Sequence, residues 1–135
     1  MHKVYNWGFK MEFHLKKRQG PVEVSLSAML RGRDGIFWLH GGDTPHIGAL
    51  AIYRQGQPPQ TICFEGHRED GIVDTLAGQL REYGQFENII VCGGIHYNNI
   101  PKEWIPEIIV LCRQLGRELL KELYIKNNIC EEGVP

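Results

Sequence analysis

The chain has 135 residues, the size of one compact domain, and its 42% apolar and 23% charged residues are typical of a globular protein rather than a disordered or fibrous one. Fifteen basic residues stand against 16 acidic ones, so the net charge of −1 argues against nucleic-acid binding. We find no signal-peptide pattern and no apolar run long enough to span a membrane, and we therefore expect a cytoplasmic protein that binds neither nucleic acid nor membrane.

The first half of the chain predicts five strands separated by turns. Apolar and polar residues alternate over 9–16 and again over 22–30, the pattern of strands with one buried face. Shorter runs follow at 36–40, 47–53 and 60–65, and the turns between the runs contain glycine or proline.

In the second half of the chain the spacing of the apolar residues changes from that of strands to that of helices. Apolar residues recur at helical spacing between Ile72 and Tyr83, a short apolar run at 88–92 is typical of a buried strand, and a second helix is predicted to reach Leu123. The order β-β-β-β-β-α-β-α predicts an α+β fold, with a mostly antiparallel sheet of about six strands and two helices on one face. We expect residues 1–124 to form this single domain and residues 125–135 to form a loose tail.

Three glycine-rich segments each carry one histidine: GGDTPHIG (41–48), GHRED (66–70) and GGIHYNN (93–99). A hairpin of strands 47–53 and 60–65 would place His46 and His67 at the same edge of the sheet. A crossover from strand 60–65 through the first helix makes strand 88–92 run parallel to it, which brings His96 to that edge too. Both helices would begin at this edge.

This meeting point has the chemistry of a metal or phosphate site. Imidazoles beside a carboxylate are common ligands of divalent metals, so His46, His67 and His96 are candidate metal ligands. Asp43 lies in the same segments, with Glu69 or Asp70 as a further carboxylate. Helix N-termini attract anions, and glycines let backbone amides approach a ligand. The candidate cofactor-binding residues are Gly41, Gly42, Asp43, Gly48, Gly66, Arg68, Gly94 and Asn99.

Each of these residues also has a purely structural interpretation. The histidines and glycines could be ordinary turn residues, Arg68 could be a solvated side chain, and Asn99 could cap the second helix. Convergence of all three segments at one edge favours the functional interpretation over these.

The same three segments resemble a known family. They follow the order GGD-x-PHIGA, GH-[KR]-[ED] and GIH-x-[DN]-N, and in this they are similar to the LpdD-like family, the small D subunits encoded with gallate and related hydroxyarylic-acid decarboxylases. The resemblance covers roughly residues 20–123. The matching positions that it points to are Gly41, Gly42, Asp43, Pro45, His46, Ile47, Gly48, Gly66, His67, Gly94, Ile95, His96 and Asn99.

Two functions of different classes remain open. The resemblance implies an accessory protein, not a catalyst, that binds prenylated FMN or FMN and assists its delivery or maturation for a UbiD-type hydroxyarylic-acid decarboxylase. The alternative is a small metal-dependent enzyme, hydrolase-like, with the three histidines as ligands. Long amphipathic strands with exposed edges also predict a homo-oligomer, most simply a dimer.

Overall fold

The computed structural model describes residues 11–67 and 69–131, the last five of these as backbone only. Arg68 and the first two residues of the predicted strand 9–16 lie outside the described residues. The strands are β1 (Met11–Gln19), β2 (Val22–Arg31), β3 (Asp34–Gly42), β4 (Ala49–Arg54), β5 (Gln60–Cys63) and β6 (Asn88–His96), and the helices are α1 (Asp70–Tyr83) and α2 (Trp104–Glu131). The α+β class and the predicted order of elements are confirmed.

The strands form one sheet in the order β1-β2-β3-β6-β4-β5. Strand β6 is parallel to β3 and antiparallel to β4, and β4 is antiparallel to β5. Strands β5 and β6 therefore run in the same direction, as the crossover predicts, with β4 between them. The carboxyl ends of β3, β5 and β6 and the amino end of β4 consequently meet at one edge, which we call the site edge.

Both helices cover the same face of the sheet. Every second residue of β2 is buried against them, from Val22 to Leu30, because side chains alternate between the two faces of a strand. Helix α1 packs on β4 and β6, and α2 packs on β1 and β2. The opposite face, which we call the open face, exposes the large apolar side chains of Met29, Ile36, Ile62 and Ile90.

Two glycine segments begin inside strands and not in loops. The sequence predicts that strands end at residues 40 and 92, but β3 and β6 continue in register to the pair formed by Gly42 and His96. Gly42 has a φ of 84°, and a Cβ there would collide with the carbonyl oxygen of His96. The pairing thus depends on glycine, and it makes His96 the last residue of a strand.

Helix α2 extends beyond its predicted end at Leu123. It begins at Trp104, after a turn in which the Trp104 N–H donates to the carbonyl of Pro101. Pro106 is then the third helical residue, where a missing N–H costs no intrahelical bond. The helix continues to Glu131 and so includes residues 125–131, which the sequence assigns to the tail. Among the described residues, no helix combines the length and apolar character needed to cross a membrane.

Candidate metal centre and ligand site

Two of the three predicted histidines meet a glutamate at the site edge. The Nε2 atom of His46 lies 3.1 Å from Nδ1 of His67 and 3.1 Å from Oε1 of Glu69. The Nδ1 atom of His67 lies 3.5 Å from Oε2 of Glu69. We call these three residues the His-Glu cluster. The cluster is partly sheltered from water, since the Glu69 side chain is 13% exposed and the two imidazoles are 22% and 34% exposed.

Each member of the cluster comes from a different element. His46 precedes β4, His67 follows β5 in a turn where its N–H donates to the carbonyl of Phe64, and Glu69 is the residue before α1. The Nδ1 atom of His46 lies 3.1 Å from the carbonyl oxygen of Thr44. A carbonyl can only accept, so Nδ1 carries the proton and Nε2 presents its lone pair to the cluster.

Glycines at two positions make this assembly possible. A Cβ at Gly48 would meet the Glu69 carboxylate and Nδ1 of His67, and a Cβ at Gly94 would collide with the backbone carbonyl of His46. The Gly48 N–H donates to the carbonyl of Gly93 at 2.7 Å, which holds the start of β4 against β6. Both glycines therefore have a packing role that is sufficient to explain them.

His96 lies beside the cluster but outside its donor set. Its ring centroid is 5.9 Å from that of His46, and the two rings are nearly perpendicular. The imidazole is exposed, and its ligand atoms are not within the 4.8 Å that encloses those of the three cluster residues. Its position suits contact with a molecule bound at the cluster better than it suits membership of the cluster.

Asp43 ties the two flanking loops together. Its carboxylate accepts the N–H of Asn98 at 2.9 Å, and its own N–H donates to the carbonyl of His96 at 2.7 Å. The loop that carries His46 is thereby fixed to the end of β6. Asp43 thus positions a neighbour of the cluster and does not join its donor atoms.

The remaining predicted residues surround the cluster at greater distance. Gly41 and Gly42 end β3, and Gly66 lies in the turn before His67 with a φ of 82°. Asn99 has a left-handed φ of 52° and lies five residues before α2, so it does not cap that helix. Asp70 begins α1 without entering the cluster, which leaves Glu69 as the carboxylate of the pair that the sequence left open.

The donor set fits a divalent metal. Two ligand atoms at the usual distance from a tetrahedral zinc ion are about 3.3 Å apart. The two imidazole nitrogens are 3.1 Å apart, and each lies close to a different oxygen of Glu69, His46 at 3.1 Å from Oε1 and His67 at 3.5 Å from Oε2. One ligand atom from each residue lies within 4.8 Å of the others. Two imidazole nitrogens and one carboxylate oxygen are the ligand types that zinc and its neighbours in the first transition row accept. Three protein ligands would leave a fourth position for a phosphate oxygen or water.

Next to the cluster lies an apolar pocket that the sequence does not reveal. It has a volume of about 400 Å³ and lies between the starts of α1 and α2 and the end of β6. Its wall includes Glu69 and Arg113. The apolar lining, after which we call it the isoleucine pocket, consists of Ile72, Ile95, Ile100, Ile105, Ile108 and Ile109. Isoleucine at helical spacing is an ordinary core signal, and Ile72 and Ile108 do belong to the buried core. Only the tertiary structure shows that these side chains also line a cavity.

A second polar group lies on the open face, apart from the cluster. The Ser27 hydroxyl lies 3.2 Å from Nδ1 of His14 and 3.0 Å from Nε2 of His40, and the His40 ring lies 4.3 Å from that of Trp38. Burial lowers the pKa of His40, and the positive charges of His14 and Lys16 lower it further. His40 therefore contributes to the open face and not to the candidate metal centre.

Comparison with known proteins identifies the same family that the three glycine-rich segments resemble. Residues 18–124 match the model of the prenylated flavin chaperone LpdD-like domain. The chain is 24% identical to Protein LpdD of Lactiplantibacillus plantarum over an alignment of 110 residues, which covers 78% of this chain and 80% of that protein.

The fold of this chain also resembles that of a solved structure. A chain from the crystal structure of a chaperone complex for yeast 20S proteasome assembly superposes with a TM-score of 0.56 at 10% identity, covering 84% of this chain and 96% of that one. At this identity the likeness concerns the fold alone. The family match spans most of the sheet, both helix starts and the whole His-Glu cluster, and the chain belongs to the LpdD-like prenylated flavin chaperone family.

Proposed function

We propose that this chain binds prenylated FMN or FMN at the His-Glu cluster through a divalent metal ion, and delivers it to a UbiD-type decarboxylase. The observation that carries the proposal is the cluster itself: two imidazoles and one carboxylate whose ligand atoms lie within 4.8 Å of one another, in a member of a prenylated flavin chaperone family. The metal would supply the positive charge that holds the phosphate of the flavin nucleotide.

The charge of the cluster argues that the metal is required. Glu69 presents a carboxylate beside two imidazoles, and a phosphate brought there alone would meet a negative charge of its own sign. A divalent cation reverses the sign of the local charge and leaves an open coordination position. His46 and His67 would hold the ion, and the Thr44 carbonyl would keep the His46 ring in the ligating orientation.

A carrier must also associate with other chains, and the open face suits this role. Ile36 is 44% exposed and Ile90 39% exposed, and they are neighbours across the parallel pair of β3 and β6. Contiguous apolar surface of this kind is typical of protein interfaces. We propose that it supports a homo-oligomer, most simply a dimer, and that the site edge remains available to the decarboxylase.

The direct experiment is to purify the protein from cells that produce prenylated FMN and to measure its absorption spectrum and metal content. We expect a flavin absorption band with about one metal ion per chain. The His67→Ala variant should lose both, and the His14→Ala variant, which changes an exposed histidine of β1, should keep both. A colourless protein with stoichiometric zinc would contradict the carrier role and favour a metal-dependent hydrolase.

A further inference from the structure

We propose that the isoleucine pocket binds the isoprenoid-derived part of a prenylated flavin, so that this chain prefers prenylated FMN to FMN. This inference rests on the proposed function, because it assumes that the flavin nucleotide is held at the His-Glu cluster. It adds the structural element that distinguishes the modified cofactor from its precursor.

The pocket and the cluster share a wall. The Glu69 carboxylate contacts both imidazoles of the cluster, and the same residue lines the pocket. A ligand anchored at the cluster therefore lies next to the pocket entrance. One molecule with a metal-binding group and an apolar body would engage both.

The size and chemistry of the pocket suit a hydrocarbon group. Its volume of about 400 Å³ falls within the range of about 300–1,000 Å³ that is usual for small-molecule sites. Apart from Glu69, Thr75 and Arg113 the lining is apolar, and isoleucine side chains offer the polar edge of a flavin ring system no hydrogen bonds in exchange for those it makes with water. An isoprenoid-derived group adds only carbon and hydrogen, and its burial there is favourable.

The mouth of the pocket keeps apolar side chains in water. Ile105 is 47% exposed and Ile109 is 38% exposed, although both line the cavity. Isolated exposed aliphatic residues are ordinary, but these two line a cavity whose wall is mostly aliphatic. A bound apolar group would cover them, which adds to its affinity.

The test compares two neighbouring residues of α2. Ile109 lines the pocket, whereas Val110 is 48% exposed and does not line it. The probes are FMN and prenylated FMN, titrated separately into the Zn²⁺-loaded protein, with the bound fraction measured by equilibrium dialysis. We expect the wild type to bind prenylated FMN about tenfold more tightly than FMN. Ile109→Asn should abolish that preference and change FMN affinity less than twofold, and Val110→Asn should retain the preference.

The outcomes separate this inference from the proposed function. If the wild type binds both flavins equally, or if Ile109→Asn and Ile105→Asn both keep the preference, the pocket assignment is overturned while flavin binding stands. If the Zn²⁺-loaded wild type binds neither flavin, the proposed function fails and the pocket assignment fails with it. Circular dichroism spectra that match the wild type would establish that each variant is folded.

Discussion

The Oε1 atom of Glu69 lies 3.1 Å from Nε2 of His46, although 23 positions separate the two residues in the chain. One residue precedes a strand and the other precedes a helix, so the contact exists only when β4 and α1 are both in place. A metal ion held there would bind the folded chain and not the unfolded one. Metal binding and the stability of the fold are therefore expected to be linked.

The first prediction concerns that link. Adding Zn²⁺ to chelator-treated protein should raise the midpoint of thermal unfolding, because a ligand present at about 100 times its dissociation constant adds about 2.7 kcal/mol to the free energy of unfolding. His46→Ala and His67→Ala should each abolish the rise, and His14→Ala should leave it unchanged. The rise should shrink in acid, since protons compete with the metal for the imidazoles.

The effect of replacing His96 distinguishes two interpretations of the same site. If it only faces a bound ligand, His96→Ala should keep the Zn²⁺-dependent rise and weaken flavin binding. If it is a third histidine ligand, as the sequence suggests, His96→Ala should lose the rise as fully as His67→Ala does. Calorimetric titration with Zn²⁺ distinguishes these results, and the 5.9 Å separation of the His46 and His96 rings favours the first.

A further prediction concerns Gly48. In Gly48→Ala the added methyl group would displace the Glu69 carboxylate and the His67 ring, both of which can move. We expect loss of Zn²⁺ binding with a decrease of about 1–3 kcal/mol in the free energy of unfolding, measured by urea titration. The matched control is Gly78→Ala in α1, where a Cβ meets nothing within 4 Å. It should raise the free energy of unfolding by up to about 1 kcal/mol. Normal Zn²⁺ binding by Gly48→Ala would show that the cluster geometry is wrong.

His40 should make stability depend on pH. Its pKa is lowered in the folded protein, chiefly by burial, so the unfolded chain takes up a proton at a higher pH than the folded chain does. The contribution of neutral His40 to the free energy of unfolding is full above its pKa in the unfolded chain, about 6.5. It is lost as the pH falls from there through the lower pKa of His40 in the folded protein. His40→Gln should reduce the decline in the free energy of unfolding between pH 7.5 and pH 5. An identical decline in the wild type and the variant would contradict this.

The open face supplies a prediction about assembly. Ile36→Glu places a charge in the centre of the exposed apolar surface of the sheet, where it should disrupt a dimer. Light scattering should then give the 15.5 kDa mass of one chain, against twice that mass for the wild type. Val110→Glu, on an exposed part of α2, serves as the control and should stay dimeric. A monomeric wild type at micromolar concentration would rule out the oligomer.

Much of the fold follows from local patterns in the sequence. The alternation from Val22 to Leu30 identifies a half-buried strand, and the spacing from Ile72 to Leu80 identifies the buried side of a helix. The hairpin of β4 and β5 brings His46 and His67 together. The crossover rule gives the direction of β6, and so it brings His96 to the same edge. It does not give the position of β6 between β3 and β4, because a wholly apolar strand fits any central place in a sheet.

The parts of the site that were not predictable depend on tertiary contacts. Strand β6 runs on to His96 only because Gly42 accepts its close approach, and strand pairing across glycines leaves no periodic signal. The choice of Glu69 over Asp70 depends on where α1 begins, to within one residue. The isoleucine pocket depends on the start of α2 at Trp104 and on its packing against α1.

The most direct test of the central claim is a fluorescence titration of prenylated FMN and FMN into chelator-treated protein, with and without one equivalent of Zn²⁺. The account predicts saturable binding of about one flavin per chain that requires the metal, is lost in His67→Ala and is retained in His14→Ala. The account would be contradicted if the metal-free wild type and metal-loaded His67→Ala both bound flavin as tightly as the metal-loaded wild type does. The His-Glu cluster would then have no part in holding the cofactor.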